Sequence, residues 1–134
     1  MPQSRLRNAW LAVGWFGVGL TIYLSLTPTP PEVDLGAYTD KWEHVSVYAV
    51  LMWWFCQLRT AMSARAITGA ALVALGITLE FAQRMTEVRT FEVADMIAGT
   101  LGVAAGWLLA APRTPNLLSW CQQWLATAAD SPPT

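Results

Sequence analysis

One imidazole and two carboxylates draw attention in this chain of 134 residues: His44, Glu80 and Asp95. Each lies at the edge of an apolar segment that is too short to cross a bilayer without it. A spanning helix needs about 20 mostly apolar residues. Residues 45–58, 66–79 and 96–111 are closed early, by His44 and Arg59, by Arg65 and Glu80, and by Asp95 and Arg113. If all three segments cross, then His44, Glu80 and Asp95 enter the membrane at one end. Ionisable groups inside a bilayer are costly and mark functional sites. A base, two acids and nearby cations can recognise a polar group or move a proton. One imidazole with two carboxylates can also hold a divalent cation. Tight metal sites usually carry more nitrogen or sulfur ligands, so neither a metal nor a cofactor is expected. Cys56 and Cys121 are far apart and match no metal or redox spacing.

Counting along the helices places the three groups at one level. An α-helix rises 1.5 Å per residue, so Arg59 to His44 and Arg65 to Glu80 each span about 22 Å, and Arg113 to Asp95 about 27 Å. The hydrocarbon core is about 30 Å thick. With the arginines at the inner boundary, the three groups fall just beneath the outer one. Lys41, His44 and Tyr48 share a helical face, as do Glu80 and Gln83. Arg89 lies in the short loop that leads to Asp95. The expected binding site is therefore Lys41, His44, Tyr48, Glu80, Gln83, Arg89 and Asp95.

The elements that must position these residues follow from composition and breakers. The chain is 54% hydrophobic and 13% charged, with eight tryptophans, which is more apolar than a soluble domain. A soluble chain of this length could not bury four long apolar segments. The expected fold is all-α: a single integral membrane bundle of four transmembrane helices, at about 7–26, 40–60, 64–85 and 91–111. A short interfacial helix follows at about 115–129, with Leu117, Cys121, Trp124, Leu125 and Ala128 on one face. Arg5 and Arg7 could begin a signal peptide, but the apolar stretch is long and no A-x-A-like site follows. It reads as a retained first helix. Arg5, Arg7, Arg59, Arg65 and Arg113 fall on one side of a four-span bundle, against Lys41, Arg84 and Arg89 on the other. The positive-inside rule then puts both termini in the cytoplasm of a bacterial inner membrane. A net charge of −1 and the lack of a basic patch argue against nucleic acid as a partner.

These residues come in a specific order: Pro28, then Asp40-Lys41-x-x-His44-x-x-x-Tyr48, then Gly76-x-x-x-Glu80-x-x-Gln83, then Arg89, Asp95, Gly102 and Gly106. Over roughly residues 24–107 this resembles the VanZ-like family of small bacterial membrane proteins. The resemblance implies a multi-pass membrane protein of the cell envelope, and the family's founding member is linked to low-level resistance to the glycopeptide teicoplanin. Family members commonly carry Asn four residues after the aspartate, where this chain has Gly99.

Three functions fit this pattern. An outward-facing polar pocket could bind a lipid headgroup or envelope precursor, with Lys41, His44 and Arg89 as donors and Glu80, Gln83 and Asp95 orienting them. A membrane enzyme could use His44 and Glu80 as an acid–base pair on a lipid-linked substrate. A structural partner of other membrane proteins could assemble, with itself or with them, through a smooth face of Gly99, Gly102 and Gly106.

Overall fold

The structure, a computed structural model, describes residues 2–28, 39–86 and 90–129. Five helices and no strand appear among them: α1 (Pro2–Leu26), α2 (Thr39–Leu58), α3 (Met62–Thr86), α4 (Val93–Leu109) and α5 (Leu117–Ala129). The all-helical class agrees with the sequence reading; the ends of α1 and α5 fall where expected, and the other boundaries move by a few residues. The start of α4 moves for a clear reason. Glu92 is held extended, with φ −134° and ψ 118°, and its N–H donates to the Glu80 side chain (2.6 Å). The helix therefore begins at Val93 and not at Phe91.

By length and composition, two helices can cross a membrane, over Gln3–Leu26 and Met62–Thr86, while Val93–Leu109 is apolar but shorter. Large apolar side chains are exposed on all four long helices. Trp15 and Phe16 on α1, Val50 on α2, Ile67 on α3, and Leu101 and Leu108 on α4 are examples.

α2 is the centre of the bundle and touches each of the other four helices. Its closest neighbour is α4. A Cβ built on Gly102 would strike the Val45 carbonyl oxygen, and one on Gly106 would strike the Ala49 carbonyl oxygen. Partners 45 with 102 and 49 with 106 advance together, so α2 and α4 run parallel. Glycine at a four-residue interval removes the side chains that would hold two backbones apart. Gly99 belongs to the same seam. Its missing side chain leaves room for the Tyr48 ring, whose Cδ2 would lie 3.2 Å from a Cβ there. From α3, Gly76 approaches the Tyr48 hydroxyl in the same way. Tyr48 thus fills the space where α2, α3 and α4 meet, and a side chain at position 99 would press on its ring.

Gly99, Gly102 and Gly106 give the smooth face expected of them, and within this chain it is buried against α2. The core around the seam includes Leu51, Met52, Phe55, Leu72 and Val103. Met52 is fully buried.

The far end of the bundle is closed by hydrogen bonds. Arg65, in the first turn of α3, is buried. It donates to the carbonyls of Arg59 (2.7 Å), Ala111 (2.5 Å) and Cys56 (3.5 Å). The carbonyls at a helix C-terminus have no partner inside the helix, and one guanidinium serves the ends of both α2 and α4. Asn116 caps α5 by accepting the Ser119 N–H (2.9 Å). Gln57 accepts the Leu117 N–H (2.9 Å) and ties α5 to α2. The buried contact of α5 centres on Leu118, while Trp120 and Trp124 are exposed. Leu117 and Trp124, on the face expected to meet the membrane interface, are not part of that contact.

Gly102→Ala should lower stability by about 1–3 kcal/mol, since the new methyl meets backbone that cannot rotate away. Gly19→Ala, where nothing lies within 4 Å, should be neutral or slightly stabilising. Thermal unfolding of the purified protein in detergent checks both.

Candidate functional site

The parallel pair brings the N-terminal ends of α2 and α4 together, and the ionisable residues gather there. α2 supplies Asp40, Lys41 and His44, α3 supplies Glu80 near its C-terminal end, and Glu92 and Asp95 come from the start of α4. One ligand atom each from His44, Glu80 and Asp95 lie within 4.8 Å of one another. Three helices thus bring together the three groups that counting placed at one level.

Glu80 is 2% exposed. Its Oε1 accepts the Glu92 N–H at 2.6 Å, so the carboxylate satisfies a backbone donor at the entry to α4. The positive end of a helix dipole favours an acid in that position. The His44 Nδ1 lies 2.9 Å from the Asp40 carbonyl oxygen. A carbonyl only accepts, so Nδ1 carries the hydrogen, and Nε2 of the neutral ring carries the lone pair.

Lys41 lies in the expected cluster, but its ammonium is already paired. Its Nζ donates to Asp40 Oδ2 (2.5 Å) and to Glu92 Oε2 (2.5 Å), and lies 2.6 Å from Asp95 Oδ1. The ammonium is already surrounded by three carboxylates and is not a free donor for an anionic ligand. Its side chain keeps 22% of its exposure, so it sits at the rim. Asp40, Glu92 and Asp95 form a second group whose oxygens lie within 4.8 Å of one another, and Lys41 pairs with all three. Asp95 is shared between the two groups and is 11% exposed.

Two other expected site residues serve elsewhere. Gln83 is buried, and its Nε2 donates to the Ser25 carbonyl at the end of α1 (2.7 Å). Tyr48 is a packing residue at the glycine seam, though part of it also lines the cleft between α1 and α2. Arg89, and the expected loop residues 32–38, lie outside the described residues.

That cleft escaped the sequence reading. It has a volume of about 670 Å³ and opens between α1 and α2. Leu20 and Leu24 of α1 face Val47 and Leu51 of α2, with Ser25 and His44 among the polar members. His44 therefore belongs to both the buried trio and the cleft wall. Alternation of small and large residues gives no direct signal for such a space. Gly14 and Gly17 on α1, which admit Phe55 and Leu51 closely, are the only local hint.

The balance of charge in the cluster is acidic. Asp40, Glu80, Glu92 and Asp95 face one described ammonium, Lys41. Removing it by Lys41→Met should destabilise the fold by about 2–3 kcal/mol. That is below the 3–5 kcal/mol range for a fully buried pair, because the site is partly open to solvent. Adding Asp95→Asn to Lys41→Met should recover part of the loss, as a double-mutant cycle by thermal unfolding would show.

Comparison with known proteins gives no relative: no family model, no curated protein and no solved structure matches the chain.

Proposed function

We propose that the chain is a four-span membrane protein that holds an amphiphilic envelope lipid, its tail in the α1–α2 cleft and its head beside His44. The observation that carries this reading is the dual position of His44. It ends an apolar cleft and begins a buried polar cluster, so one ligand can meet both. Ligand sites are mostly apolar, with a few placed polar groups. Exposed apolar side chains on all four long helices support the membrane setting, since soluble domains rarely show such continuous patches. The arginine count supports cytoplasmic termini, with the cluster toward the outer leaflet and α5 along the inner surface.

The cluster also narrows the headgroup. With Lys41 engaged by three acids, an anionic head has no free described cation to meet. Carboxylates suit a head that brings hydrogen-bond donors or positive charge. The ammonium of a zwitterionic phospholipid and the hydroxyls of a sugar-bearing, lipid-linked wall precursor both qualify. The resemblance to the VanZ-like family extends the proposal to altered teicoplanin susceptibility in cells that make the protein.

Lipid binding to the full chain in nanodiscs, measured by native mass spectrometry with EDTA present, tests the reading. Phosphatidylethanolamine should be retained in preference to phosphatidylglycerol. His44→Ala and Leu20→Trp should each weaken retention by roughly tenfold, or about 1.4 kcal/mol. Equal retention by wild type and both variants would rule the cleft out. Orientation is checked separately with single cysteines at Ser4 and Asp40 in a Cys56→Ser, Cys121→Ser background. An impermeant thiol reagent added to whole cells should label the Asp40 position and spare the Ser4 position.

A further inference from the structure

The acidic cluster contains two overlapping groups of ligand atoms, and the contrast between them is informative. Asp40, Glu92 and Asp95 surround an ammonium, Lys41 Nζ, at 2.5, 2.5 and 2.6 Å. That group already has its cation. The neighbouring group, His44, Glu80 and Asp95, is equally close-set, within 4.8 Å. Among the described residues, every ion pair in the cluster runs through Lys41. The second group reaches that cation only through the shared Asp95.

Its three members are held as metal ligands are held. The His44 Nδ1–H donates to the Asp40 carbonyl, which leaves Nε2 as the ring's ligand atom. A backbone carbonyl on the other nitrogen is the usual device for orienting a metal-binding imidazole. Glu80 is fixed through Oε1 by the Glu92 N–H, and its second oxygen takes no part in that bond. Asp95 is 11% exposed, and its Oδ1 lies 2.6 Å from the Lys41 ammonium. That one ammonium is shared with Asp40 and Glu92, so the described cluster keeps an acidic excess that suits a further cation.

The donor set indicates which cation. Mg²⁺ and Ca²⁺ favour oxygen ligands throughout, whereas imidazole with carboxylates suits first-row divalent ions. Zn²⁺ bonds of about 2.0–2.2 Å place ligand atoms roughly 3.4 Å apart in a tetrahedron. Three atoms mutually within 4.8 Å reach that spacing by small side-chain rotations. Three protein ligands also leave a fourth position for water or for a donor atom of a second molecule.

We infer that His44, Glu80 and Asp95 form a divalent metal site suited to Zn²⁺, built at the end of the α1–α2 cleft. This site stands on the trio's own geometry and does not depend on a lipid entering the cleft. The single imidazole that argued against a metal in the sequence is offset by the burial and fixed orientation of the two acids.

Isothermal titration of the purified full chain with ZnCl₂ alone, in a detergent without lipid, tests the site. One Zn²⁺ should bind per chain. His44→Ala and Asp95→Asn should each weaken binding by roughly tenfold or more. Cys121→Ser should leave it unchanged. Glu80 also holds the entry to α4, so His44→Ala is the deciding variant, with helicity and melting measured beside it. Zinc K-edge absorption should report nitrogen and oxygen neighbours and no sulfur. No binding by wild type, binding unaffected by His44→Ala, or binding lost with Cys121→Ser would each overturn the site.

Discussion

The close parallel contact of α2 and α4 is the constraint on which the rest of the molecule depends. Gly102 and Gly106 let one helix lie against the Val45 and Ala49 carbonyls of the other. Two helices packed in parallel have their dipoles aligned side by side, which is unfavourable unless their ends meet opposite charge. Both ends are met. At the C-terminal end, the Arg65 guanidinium takes carbonyls belonging to α2 and to the residues that follow α4. At the N-terminal end, Asp40, Glu80, Glu92 and Asp95 collect where the partial positive charges add. The glycine seam therefore explains why acids gather at one end and why a buried arginine is found at the other.

The two ends differ in what they leave over. At the Arg65 end, one cation meets neutral carbonyls, and Gln57 and Asn116 complete the caps of α5. That end is consistent as pure structure. At the acid end, the helix termini need far less negative charge than four carboxylates supply. Lys41 offsets part of it by touching three of them at once. Among the described residues the surplus that remains meets no second cation, and surplus ionisable charge in a sheltered place is the physical mark of a site that meets something else.

Much of this was legible in the sequence, for a definite reason. The rise of an α-helix is fixed, so counting from Arg59, Arg65 and Arg113 was enough to place His44, Glu80 and Asp95 on a common level, and the three do meet. Helix number and order followed from the prolines and the apolar runs. Rotation about each helix axis was harder, since it depends on the neighbour chosen. Glycines that could serve a partner chain and glycines that serve α2 look the same in one sequence. Lys41 and Gln83 share faces with the site, as expected, but nearer acceptors claim them: three carboxylates for one, and the Ser25 carbonyl for the other. Arg65 was read as a marker of the membrane boundary, because nothing local in the sequence reveals that two helix ends converge on it.

His44 is where these threads join. Its place in the first turns of α2 is set by the seam, because Tyr48, one turn further on, is locked between Gly76 and Gly99. Its tautomer is set by the Asp40 carbonyl one turn back. Neither constraint involves the acids it faces, so the ring is held in position before any ligand arrives. The ring stands between a group of acids and an apolar cleft, with the lone pair of its neutral form on the nitrogen that the Asp40 carbonyl does not engage.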